Sequence, residues 1–62
     1  MTNSEVYDAI LNELIGRYWE KKISRTDLRT AIRSASFEYH CYQYGFQTFA
    51  KLNYPQCLEV QS

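Results

Sequence analysis

The stretch LRTAIRSASFEYHCYQYGFQTF, residues 28–49, decides the fold. Within it Leu28, Ile32, Ala35, Tyr39, Tyr42, Phe46 and Phe49 recur at alternating intervals of four and three. That is three consecutive heptads with an apolar or aromatic residue at both seam positions, the pattern of a helix that buries one stripe. A strand would alternate every second residue, and no such alternation is sustained. Gly45 offers a place to stop, but the seam continues past it to Phe49. The spacing therefore predicts one helix over about 25–52, with Ser24 or Thr26 as its cap and Asp27 in its first turn. Asn53, Tyr54 and Pro55 end it, because the residue before a proline is pushed out of helical geometry.

Upstream, Val6, Tyr7, Ile10, Leu11, Leu14, Ile15 and Tyr18 repeat at helical spacing and predict a first helix over about 4–21. On a helical wheel Tyr7, Ile10, Leu11, Leu14 and Tyr18 share one broad face. Thr2 with Glu5 three residues later fits a capping box, in which each side chain satisfies the other's free backbone N–H. Gly16 inside the pattern costs about 1 kcal/mol relative to alanine, which a packed helix tolerates. The link around Lys22–Ser24 is short, so the two helices are expected as an antiparallel hairpin, with Ile23 packing down as a staple. Residues 53–62 are expected as a short extended tail that docks loosely through Leu58 and Val60.

Sixty-two residues make one small helical domain, and such a chain buries only about 60% of the surface its unfolded form exposes. Proteins of this size usually need disulfides, metals or a partner. Only Cys41 and Cys57 are present, too few for a disulfide framework, and the polar, acidic first residues do not read as a secretory signal. The apolar runs are two or three residues long, far short of the ~20 that span a bilayer. A cytoplasmic protein with free thiols and no membrane segment is the expectation. Seven basic and seven acidic residues cancel, yet residues 17–33 carry a local charge of +4 and the remainder −4. The neutral total hides a dipolar molecule whose basic part is mid-chain.

Phe37, Cys41 and Tyr44 lie nearly opposite the seam on the same wheel, with Thr48 continuing their line. A surface helix should be polar there. One reading is that these residues face a second chain. Another is that the tail folds back and covers them with Leu58 and Val60; a third is that they are isolated surface aromatics. A hairpin with one long doubly apolar helix is expected to form a homodimer that closes into a four-helix bundle. In length and gross pattern the chain resembles the Rop-type plasmid regulators, hairpins that dimerise. It differs in its longer second helix and its aromatic core.

Arg25, Arg29 and Arg33 form an i, i+4, i+8 stripe, and Arg17, Lys21 and Lys22 come near them around the turn. Such a basic patch suits phosphates or an acidic protein surface, and it suits a solvated face equally. His40 is the one histidine; neighbouring side chains on a helix point about 100° apart, so it cannot share a proton with Cys41. No glycine-rich turn offers an oxyanion or phosphate site, the acids are not paired, and no Cys-x-x-Cys anchors a metal. No catalytic residue, metal ligand or cofactor site is therefore assigned. Trp19 falls off the main face of the first helix, as a partner anchor or a lid over the hairpin. The expected function is non-enzymatic: a small helical homodimer that binds a larger protein and regulates, inhibits or bridges it. Phe37, Cys41, Tyr44 and Trp19 would be its contact residues. The alternative is a nucleic-acid-binding regulator that uses the basic stripe.

Overall fold

A computed structural model of the protein describes residues 2–58, the side chains of Gln43 and Tyr44 apart. Helices are the only regular structure among them: α1 (Asn3–Trp19), α2 (Arg25–Cys41), α3 (Gln43–Asn53) and the single turn α4 (Pro55–Leu58). No helix among the described residues is long and apolar enough to cross a membrane.

The start of α1 is held as its residue types dictate. Thr2 Oγ1 accepts from the Glu5 backbone N–H at 3.2 Å, and the Glu5 carboxylate accepts from the Thr2 backbone N–H at 3.0 Å. The Thr2 backbone N–H, and the Thr2 hydroxyl that donates to Glu5 Oε1 at 3.1 Å, hold the Glu5 carboxyl below its usual range, because each favours the ionised form. Ser24 caps α2 in the same way, its Oγ accepting from the Asp27 backbone N–H at 3.0 Å. The end of α1 carries no glycine. Lys21 takes the left-handed conformation there, at φ 62°. Its N–H donates to the Tyr18 carbonyl at 3.0 Å and the Lys22 N–H donates to Arg17 at 2.9 Å. This is the double bond pattern of a Schellman stop, which returns the chain after one helix and aims it into the next.

α1 and α2 run antiparallel. Tyr7, near the start of α1, stacks on Tyr39, near the end of α2, with ring centroids 4.6 Å apart and planes 3° from parallel. The single second helix expected over 25–52 is instead two helices. Tyr42, at φ −127° and ψ 53°, leaves helical geometry and starts α3 with no side-chain cap. α3 turns back along α1: Gln47 donates to the Asn3 side chain at 2.8 Å, and Arg17 lies 5.7 Å from the centre of the Tyr54 ring. The break separates two stretches of the seam that both face the core. Ala35 and Phe46 are fully buried, while Leu28, Ile32, Tyr39 and Phe49 are half-buried. Tyr42 alone leaves the seam, and is 54% exposed.

The tail is also corrected. It is expected extended from residue 53, yet Pro55–Leu58 is helical and Cys57 is buried against the core. Val60 lies outside the described residues. α3 and α4 both pack on α1, so α1 is covered on two sides rather than one. Its buried residues are accordingly Val6, Ile10 and Leu14, while Leu11 and Tyr18 move to the margin. With Ala35, Phe46, Ala50, Tyr54 and Cys57 these form the core. Each large apolar side chain buried there contributes about 1.5–3 kcal/mol. Burial also pushes the Tyr54 hydroxyl and the Cys57 thiol above their ordinary pKa values, since both lose water around their charged forms.

Candidate interaction surface

With α3 folded back over α1, α2 keeps one side open. Arg25, Arg29, Arg33, Phe37 and Cys41 follow one another at intervals of four, and all are exposed. Ile32, Ser36 and His40 form the adjacent row at the same interval. Rows at this spacing are the ridges that helices use to interlock. Arg29, Ile32, Arg33, Ser36, Phe37, His40 and Cys41 together line an open groove of about 590 Å³. Arg29 and Arg33 of the basic stripe thus share one depression with Phe37 and Cys41, which the sequence assigns to the other half of the helix, while Arg25 extends the stripe beyond it.

Electrostatics favour the charged side of that groove. No ion pair reaches Arg25, Arg29 or Arg33 among the described residues, although Arg17 pairs with Glu13 at 2.8 Å and Lys22 with Glu20 at 3.4 Å. Three arginines one helical turn apart, without a carboxylate to neutralise them, leave a local positive field open to an incoming anion. Arg17 does not join them. It is half-buried, held by Glu13 and laid over Tyr54, and so belongs to the packing of α1 against the end of α3.

Phe37 is 54% exposed, and its ring sits 5.4 Å from that of Tyr42. Two exposed aromatics in tilted contact, their planes 58° apart, form an apolar contact point on an otherwise charged face. The described part of the tail turns elsewhere: Cys57 is buried in the core and Leu58 packs against it. The side chain of Tyr44, expected in the same patch, lies outside the described residues. His40 rests edge-on to Tyr39 at 5.0 Å and to Tyr7 at 6.3 Å, which holds its ring along the groove wall. Cys41 is a free, exposed thiol.

Trp19 is 76% exposed and contributes to a different depression. This one, about 530 Å³, sits over the α1–α2 turn and is lined by Tyr18, Trp19, Lys21, Lys22, Ile23, Ser24 and Asp27. Trp19 and Phe37, grouped by sequence as contact residues, therefore serve separate places. Ile32, Ser36 and His40 are groove residues that the sequence reading does not select. Their signal is the second row at intervals of four beside the arginines, visible once α2 is known to end at Cys41. Ile15, 41% exposed, and Leu52, 78% exposed, are further apolar residues left in water. Among the described residues no group of three or more His, Cys, Asp or Glu is placed to hold a metal ion.

Set against protein-family models, characterised proteins and solved structures, the chain finds no match.

Proposed function

We propose that the chain is a non-enzymatic interaction protein that binds a larger protein through the outer face of α2 and acts as a homodimer. The observation that carries this reading is the continuity of Arg29 and Arg33, which have no ion pair among the described residues, with Phe37 and Cys41 along one groove. Interlocking ridges favour a helix as the occupant. The arginines favour one bearing Asp or Glu beside its apolar ridge, because complementary charge speeds and orients docking. Phe37 is the apolar anchor, of the residue class that dominates interface energetics. Regulation, inhibition or bridging of the target follows from occupancy of such a helix. Free thiols at Cys41 and Cys57 suit a reducing, cytoplasmic setting.

The test is selection of helical peptides from a random library displayed against the wild-type chain, with the double variant Arg29→Glu, Arg33→Glu as counter-selection. Enriched peptides should carry acids flanking an i, i+4 apolar ridge, lose binding to Phe37→Ser, and weaken with salt. Enrichment that ignores both variants would sink the proposal. The arginine row also favours a second reading, a nucleic-acid-binding regulator. Duplex DNA would then bind with a steep salt dependence, lose affinity on Arg29→Glu, and remain indifferent to Phe37→Ser.

A further inference from the structure

The break at Tyr42 is at odds with the sequence around it. The seam keeps its heptad phase across the break, from Tyr39 to Phe46, although α3 folds back and no longer needs that phase. Tyr42 is neither glycine nor proline, and α3 begins there without a side-chain cap. Sharp breaks in helices normally have one of those causes. A seam aromatic is left 54% exposed as a result.

We propose that two copies of the chain exchange their C-terminal helices: Tyr42 becomes helical, α2 and α3 fuse into one helix, and each α3–α4 unit packs on the partner's α1. The inference rests on the homodimer of the proposed function and names its construction. A fused helix over residues 25–53 is about 43 Å long at 1.5 Å per residue. It satisfies the backbone groups freed at the break and returns Tyr42 to the seam beside Tyr39 and Phe46.

The contacts that hold α3 and α4 are suited to exchange, because they run to α1 and not only to the neighbouring α2. Gln47 meets Asn3, Phe46 meets Tyr7 at 6.3 Å between ring centroids, and Tyr54 meets Arg17. Each can form between copies with unchanged geometry, the condition under which swapping costs little. The Tyr7–Tyr39 stack between α1 and α2 stays within one chain. A hinge of one residue prevents α3 from reaching its own α1 once the helix straightens, so the exchanged form requires a second copy.

The experiment places cysteines at the α1–α3 contact by Asn3→Cys and Gln47→Cys, with Cys41→Ser and Cys57→Ala. Solution mass is measured across a concentration series, and each fraction is joined with a short bis-maleimide. Exchange predicts a dimer whose crosslinks join two chains on a denaturing gel. A dimer whose crosslinks all lie within one chain overturns the exchange and leaves homodimerisation standing. A monomer at every concentration overturns both. Gln43→Pro, in the otherwise wild-type chain, is the second variant. Proline suits the first residue of α3 but breaks a fused helix, so it should weaken self-association by more than about a hundredfold while keeping the helical spectrum of the monomer. Unchanged self-association in that variant also overturns the exchange.

Discussion

Replacing Lys21 with glycine should stabilise the protein. Lys21 is exposed, has φ 62°, and takes part in no ion pair among the described residues. Its side chain therefore contributes little, while its Cβ carries the left-handed penalty of about 1–2 kcal/mol. Glycine removes that penalty and adds about 0.5–1 kcal/mol of backbone freedom to the unfolded chain. The net gain is about 0.5–1 kcal/mol. The backbone bonds from Lys21 to Tyr18 and from Lys22 to Arg17 do not depend on the side chain and should persist. For a domain of this size, 1 kcal/mol moves Tm by about 4–8 °C, so circular dichroism melts should rise by about 2–8 °C. Lys21→Ala is the control, because alanine keeps the Cβ and should give no such gain. A Tm unchanged or lowered in Lys21→Gly, or raised equally in Lys21→Ala, would refute the assignment of a strained helix stop.

Three further outcomes follow from the core and the caps. Phe46→Ala removes the largest fully buried side chain, at a cost of about 3–5 kcal/mol, and should leave a chain this small without a cooperative melt. Thr2→Ala loses the capping box and should cost about 0.5–2 kcal/mol by urea titration, with Thr2→Ser nearly neutral. Alkaline pH should destabilise the fold. Tyr54 and Cys57 hold their protons more tightly when folded than when unfolded, so their contribution is complete below the ordinary thiol value of 9.0 and is lost as pH rises above it. Cys57→Ala should move the onset of that loss upward, which a pH series of melts would register.

Much of the fold is legible in residues 2–41. The Thr2–Glu5 box, the Ser24 cap, the short link and the Ile10–Leu14 part of the α1 core face follow from local chemistry and periodicity, whereas the burial of Val6 in place of Leu11 and Tyr18 requires the packing of α3 and α4. The break at Tyr42 is not legible, because no proline or glycine occupies it and the heptad phase runs through it. Only the return of Phe46, Ala50 and Tyr54 onto α1 selects it, and tertiary packing of that kind leaves no mark in a short window. α4 is hidden for a related reason: four residues show no period, and the burial of Cys57 depends on α1 already being in place. The interaction surface is half legible. The arginine stripe and Phe37 stand out by spacing, whereas the removal of Arg17 to Glu13 and Tyr54, and the separation of Trp19 from Phe37, require the fold.

The outer face of α2 is proposed as a binding surface for an acidic amphipathic helix. Its most direct measurement is an amide-resolved NMR titration of the labelled protein with a synthetic helical peptide bearing glutamates beside a leucine ridge. Salt-sensitive shifts are expected at Arg29, Ile32, Arg33, Phe37, His40 and Cys41, with α1 and the turn around Lys22 unmoved. Shifts centred on Trp19 and the turn, or none at peptide concentrations where a basic control peptide is equally silent, would contradict it.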